Sequence, residues 1–348
     1  MLGILDKIRR RRGRLLDALG VGPRTTPSTV VEIAAGARLR TYASAPATGP
    51  PVLLVSAPIK RSYIWDLEPQ GSVVARCLQH GMCVHLVEWT DPGPTEQHFG
   101  LDQYADRLLV NCIEAVTERT GAPRITLIGH SLGGTLTAVC AARHPNLVAA
   151  IALLEAPLHF GADAGAFGSF IAAAPPAVLT RVAVGGVPGS FLNLVAVTAA
   201  PREFQLDRYI DLLRSAGDRA ALMTHLRILR WMDDEFRLPQ QLFFDVVERL
   251  YRRDEFMHGT LEVAGQQVGP GTLSVPLLTV VDPRSRIIPP RSIIPFHDAA
   301  AAPVKRLLEY HGDVGVALQH VGVLVGRNAH RRLWPEILRW LATQSTST

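Results

Sequence analysis

The sequence predicts an α/β fold, a mainly parallel, doubly wound sheet with an inserted helical lid. Two observations carry this. The short apolar runs Pro51–Val55, Cys83–Val87, Ile125–Ile128, Val148–Leu154 and Pro276–Val281 have the composition of strands buried on both faces. The helix-like stretches Gln70–His80, Leu101–Arg119 and Leu132–His144 lie between them. Strands alternating with helices call for a parallel sheet covered on both sides. Composition agrees: of 348 residues, 47% are hydrophobic and 19% charged. Such a chain can bury a large core, which excludes a disordered or acidic-tail protein. Lys plus Arg exceeds Asp plus Glu by 36 − 31 = 5, too mild a balance to call for nucleic acid.

Taken in order, residues 1–24 read as a basic amphipathic helix. Leu5, Ile8, Leu15, Leu16 and Leu19 fall near one face, with Arg9–Arg12 and Arg14 mostly off it. No apolar stretch precedes a small-residue cleavage site, so no secretory signal is expected. A solvated helix packed on its own domain is the favoured reading. The alternative is peripheral contact with an anionic membrane or a granule. Residues 25–160 and 261–348 form the expected core. Its early part holds a strand-like pair, Val30–Ile33 and Leu39–Tyr42, and its late part a strand-like Val314–Leu318 before a helix at Arg332–Thr343. Residues 161–260 form the expected lid. Ala164–Thr180 and Val182–Pro201 lack charge, but Pro175, Pro176, Gly185, Gly186, Pro188 and Gly189 break them, which argues against membrane spans. Cys77, Cys83, Cys112 and Cys140 show neither CxxC nor zinc spacing and read as reduced core thiols of a cytoplasmic protein.

The strongest chemical signal is Gly129-His130-Ser131-Leu132-Gly133, which directly follows a strand and opens a helix. This is the context of a G-x-S-x-G nucleophile elbow and of the α/β-hydrolase fold. The chain must turn sharply there, and small residues at Gly129 and Gly133 let neighbouring backbones pass. Ser131 then stands at the carboxyl edge of the sheet, and the N–H of Leu132 points where an oxyanion would form. The second oxyanion donor is expected in the loop after an early strand. Pro58 has no N–H, which leaves Ile59.

Serine needs a base. Of the late histidines, His320 is favoured over His311 and over His330, which is expected at an exposed helix start. The carboxylate that orients the base has two candidates. Asp282 ends the strand Leu277–Val281, and Glu155 ends the strand after the nucleophile. Their bland readings are an exposed loop acid and a helix cap or ion-pair partner.

With these pieces placed, the chain resembles the polyhydroxyalkanoate synthases, especially their short class, from about Pro51 to Leu341. The likeness rests on Val55–Pro69 (VSAPIKRSYIWDLEP), Val87–Pro94 (VEWTDPGP) with Leu101–Tyr104 (LDQY), Pro188–Leu194 (PGSFLNL) and Leu229–Asp234 (LRWMDD). It continues in Gln319–Arg327 (QHVGVLVGR) with Leu333–Leu341 (LWPEILRWL). The resemblance implies acyl transfer through an acyl-enzyme, with His320 in the family's histidine loop. Two departures stand out. The family's nucleophile is cysteine, and here it is Ser131. The family's acid falls within the segment that here reads Arg284–Pro290 (RSRIIPP), where Ser285 takes its place. The position of Glu155 is usually small or apolar in the family. Either Glu155 or Asp282 replaces the inherited acid, or the triad is incomplete; a migrated acid is the leading expectation, Glu155 slightly ahead of Asp282.

A thiolate suits repeated exchange with thioesters, whereas an activated serine suits hydrolysis or a single transfer. The leading expectation is a serine hydrolase or acyltransferase acting on a hydroxyacyl ester or acyl-coenzyme A, with the lid excluding water. The alternatives are a polymerising synthase and a non-catalytic granule- or partner-binding relative. No metal or nucleotide cofactor is implied. A homodimer is the partner arrangement the synthase alternative suggests.

Overall fold

The computed structural model describes residues 2–42, 49–161, 164–175 and 185–345. Parts of the two uncharged tracts, residues 176–184 among them, lie outside the described residues. One eight-stranded sheet forms the core of the described chain. Its strands are β1 (Ser28–Ala34), β2 (Ala37–Tyr42), β3 (Pro51–Val55), β4 (Cys83–Trp89), β5 (Ile125–His130), β6 (Val148–Leu154), β9 (Leu277–Val281) and β10 (Lys305–Glu309). A separate two-stranded hairpin pairs β7 (Leu261–Val263) with β8 (Gln266–Val268). The large sheet runs β1-β2-β4-β3-β5-β6-β9-β10. Within it, only β1–β2 and β2–β4 pair antiparallel. β3 and β5 are buried at every residue, which is why their sequences are continuous apolar runs rather than alternating ones.

Helices cover both faces. They are α1 (Leu2–Ala18), α2 (Val73–Gln79), α3 (Leu108–Thr120), α4 (Leu132–Arg143), α5 (Gly165–Ala173), α6 (Gly189–Ala199), α7 (Asp207–Ser215), α8 (Arg219–Met232), α9 (Gln240–Phe244), α10 (Glu255–His258), α11 (Ile294–Ala299), α12 (Gln319–Val325) and α13 (Trp334–Ser345). α5 to α10 all lie between β6 and the hairpin. α4 is buried at every residue from Leu132 to Ala142, as a helix enclosed all round must be. Among the described residues no helix is long and apolar enough to cross a membrane. The four cysteines are free and buried, and burial raises the Cys77 and Cys112 thiols to about 12.

Three expectations need correction. The last strand is Lys305–Glu309, not Val314–Leu318. Lys305–Glu309 buries only Leu308, so an edge position left it no apolar signature. Residues 314–318 cannot extend as a strand, because Gly315 and Ala317 take positive φ of 83° and 52°. His320 is not in a loop but is the second residue of α12. His330 is not exposed; it is buried, its Nε2 lies 2.8 Å from the Leu324 carbonyl, and its ring stacks on Trp334.

α1 sits on the protein by its polar side. Arg9 donates to the Met232 carbonyl (2.7 Å) and to Glu235 (2.8 Å), Arg12 pairs with Asp233, and Arg230 holds Asp17 at 2.8 Å. Most of its apolar face turns outward: Leu5, Ile8 and Leu15 are exposed, as is Leu19 just past its end, by 68%, while Leu16 is half-buried.

Candidate active site

Ser131 stands between β5 and α4 with φ 56° and ψ −136°. A side chain held in that region stores strain that the surroundings must enforce. They do so by close approach. A Cβ on Gly129 would lie 2.5 Å from the Gly134 Cα, and one on Gly133 would lie 2.5 Å from the Val55 carbonyl oxygen. Both obstacles are backbone, so neither position accepts a larger residue without moving the sheet. Ser131 is the N-cap of α4, so the Leu132 amide belongs to the helix's free N-terminal donors, where the dipole favours negative charge.

Ser131, Leu132, His130 and His320 border one cavity of about 260 Å³. Its walls are largely aromatic and aliphatic, with Phe160, Phe167, Phe170, Phe191 and Trp231 contributed by the segment between β6 and the hairpin. Ile59 borders it too, and so does Ala57 of the same loop, which the sequence did not single out. The Ile59 carbonyl accepts the Phe236 amide at 2.9 Å, tying this loop to the inserted helices. Lys60 reaches the same Glu235 as Arg9, at 2.8 Å. Burial lowers the pKa of its ammonium, and the Glu235 charge opposes that shift.

The two acid candidates separate. His320 Nδ1 lies 2.8 Å from Glu155 Oε2; Glu155 is fully buried, and His320 exposes 11% of its side chain. Asp282 Oδ1 instead accepts its own loop's Arg284 amide at 2.8 Å, an Asx-turn arrangement. Glu155 itself has φ 45°, a second strained non-glycine residue one strand away from Ser131. Its Oε1 is buried without a partner among the described residues, at a cost of about 1–3 kcal/mol. Burial, then the nearby Asp282 charge, raises the Glu155 carboxyl well above its usual range. Among the described residues, the contact with His320 is the one side-chain hydrogen bond that Glu155 makes. Burial likewise pushes His320 down to about 4. Of the other late histidines, His311 is exposed beside Glu309, and His330 is occupied as described.

One partner of His320, and one residue that holds the chain just before it, had not been expected from the sequence. His130 Nε2 lies 2.9 Å from the His320 carbonyl, and the two rings lie 4.6 Å apart. The residue between glycine and serine in the elbow was the available signal. The loop before His320 is held by Asp211 of α7, for which the sequence carried no signal. Among the described residues no hydrogen bond joins Ser131 Oγ to His320, and such contacts often tighten only when substrate is bound.

Residues 50–240 match the alpha/beta hydrolase fold family. The poly(3-hydroxyalkanoate) polymerase subunit PhaC of Haloferax mediterranei is 30% identical over 96% of this chain and 67% of its own length. The chain is a PhaC-like member of the alpha/beta hydrolase family. PhaC of Haloarcula marismortui is 29% identical over 86% of this chain, which spans 62% of that relative's length. Among solved structures, a putative lipase from Acinetobacter baumannii covers 100% of the chain with a TM-score of 0.57 at 16% identity, a likeness of fold. The PhaC-like chain thus belongs to a family of hydrolase- and acyltransferase-type enzymes.

Proposed function

We propose that this chain is a serine-nucleophile acyl hydrolase or acyltransferase that works through an acyl-enzyme on a hydroxyacyl ester or thioester. The observation that carries this is the buried His320–Glu155 contact of 2.8 Å beside the strained Ser131, on one apolar cavity. In this reading His320 Nε2 takes the Ser131 proton as Oγ attacks the acyl carbonyl. The amides of Leu132 and of the Ala57–Ile59 loop hold the oxyanion. Glu155 fixes the Nδ1–H tautomer and balances the imidazolium. His320 then returns the proton to the leaving oxygen or sulfur, and water or an alcohol releases the acyl group. The inserted helices act as the lid, and their aromatic side chains take the acyl chain out of water.

The test is labelling by a fluorophosphonate probe. The folded chain should react, the denatured chain should not, and Ser131→Ala should abolish the signal. Absence of labelling in the folded chain sinks the reading.

A second reading is polymerisation of 3-hydroxyacyl-coenzyme A, favoured by the PhaC relatives at 29% and 30% identity. Mass analysis after incubation with 3-hydroxybutyryl-coenzyme A separates the two. Free acid supports the hydrolase, and oligoester with coenzyme A release supports the polymerase.

The outward apolar stripe of α1, with Lys7, Arg10, Arg11 and Arg14 exposed around it, supports peripheral attachment of the chain to an anionic lipid surface.

A further inference from the structure

The residues just before His320 have no regular structure, yet they decide where the imidazole stands. Their hold comes from another part of the chain. Asp211, buried in α7, accepts the Gly315 amide on Oδ1 and the Ala317 amide on Oδ2, each at 2.9 Å. Gly315 and Ala317 are the two positive-φ residues of this stretch, at 83° and 52°. Ala317 therefore sits where an alanine is strained and needs something to keep it there. Oδ2 of Asp211 is also 2.7 Å from Nδ1 of His225, which is fully buried in α8. Among the described residues, the other ring nitrogen of His225 has no partner. The tautomer that satisfies Asp211 carries its proton on Nδ1. Burial opposes the charge of Asp211, but the bonds from His225, Ala317 and Gly315 together hold its carboxyl below the usual range.

α7 and α8 are inserted helices. The short helical stretch just before α7 places Phe204 on the cavity wall, and α8 ends at the cavity-lining Trp231 and Met232. The element that bounds the substrate cavity therefore also grips the loop that aims the base.

We propose that Asp211, oriented by His225, is a positioning residue that holds His320 in register with Glu155 and Ser131 while the inserted helices are seated. When α7 lifts, Gly315 and Ala317 lose their acceptor, the strained turn relaxes, and His320 leaves its working position. The base is assembled only under a closed lid. This rests on the reading of Ser131 and His320 as the reacting pair.

The test uses the full chain, with fluorophosphonate labelling rates and kcat and KM on a p-nitrophenyl ester. Asp211→Asn should slow labelling and kcat by about a hundredfold, the scale of an ångström-size misplacement, and leave KM unchanged. His225→Leu should act in the same direction. His225→Asn, whose amide can donate from the place of Nδ1, should restore most of the rate. A residue that merely stabilised the fold would lower the melting temperature and leave kcat per folded chain unchanged. Wild-type labelling by Asp211→Asn, with Ser131→Ala silent, overturns the proposal. Should Asp211→Asn fail to fold, the contrast between His225→Leu and His225→Asn decides: equal rates overturn it, and a gap restored by asparagine supports it. A wild-type chain that does not label defeats the underlying reading instead.

Discussion

Replacing Glu155 with Gln removes the group beside His320 that can carry negative charge when the imidazolium forms, in a site with little solvent. The amide keeps the size but presents N–H where a carboxylate oxygen accepts from His320 Nδ1, now at 2.8 Å. Two effects add. As His320 takes the Ser131 proton it becomes an imidazolium. With charge centres about 4 Å apart and an effective dielectric near 20, its attraction to Glu155 amounts to about 4 kcal/mol. At about 1.4 kcal/mol per decade that is roughly three orders of magnitude in rate. The amide also favours the wrong imidazole tautomer, which brings the loss to about four orders, the scale known for the acid of serine proteases. Asp282→Asn should behave differently. Asparagine keeps an oxygen that accepts the Arg284 amide, so the change costs at most about 1 kcal/mol of stability and only a few-fold in turnover. Removing its charge even favours ionised Glu155, whose carboxyl Asp282 now helps to raise. The assay is kcat on a p-nitrophenyl ester with folded fraction checked by circular dichroism. If Glu155→Gln keeps more than about one-tenth of wild-type turnover, or Asp282→Asn loses as much as Glu155→Gln, the assignment of the orienting acid is wrong.

The contribution of buried histidines to stability should fall with acid. His85, His320 and His330 are held near 4 by burial, whereas an unfolded chain protonates its histidines near 6.5. Between those values the unfolded state binds more protons at these three histidines, so their contribution to stability rises with pH; the raised Glu155, Asp245, Asp254 and Asp313 carboxyls act in the opposite direction. The change in urea midpoint between pH 5 and pH 7.5 should therefore shift toward greater acid resistance in His85→Gln, and an unchanged pH dependence contradicts neutral burial of that ring. For α1, Ile8→Glu and Leu15→Glu should reduce co-sedimentation with vesicles of anionic lipid and leave soluble ester hydrolysis unchanged. Equal sedimentation of both variants and wild type removes the lipid assignment.

The sheet was legible because its buried strands are continuous apolar runs that nothing else explains. The elbow was legible because a small-residue turn between strand and helix is a local steric requirement. Ser131, Glu155 and His320 could be named as candidates from residue type and position along the chain. Lys305–Glu309 was missed since an edge strand shows water most of its length. His330 was misplaced because its flanking arginines look solvated, yet its own ring turns inward to the Leu324 carbonyl.

Residue order alone determined the α/β architecture, the turn that presents Ser131 and the shortlist of partners, because each depends on contacts or sterics within a few positions. It left open which carboxylate meets His320, which way α1 faces and what steadies the turn before the imidazole. Those depend on pairs separated by 165 residues for Glu155 and His320, 226 for Arg9 and Glu235, and 106 for Asp211 and Ala317. No local propensity encodes such a pairing. It exists only once the sheet has stacked β6 beside β5 and the inserted helices have closed over its edge.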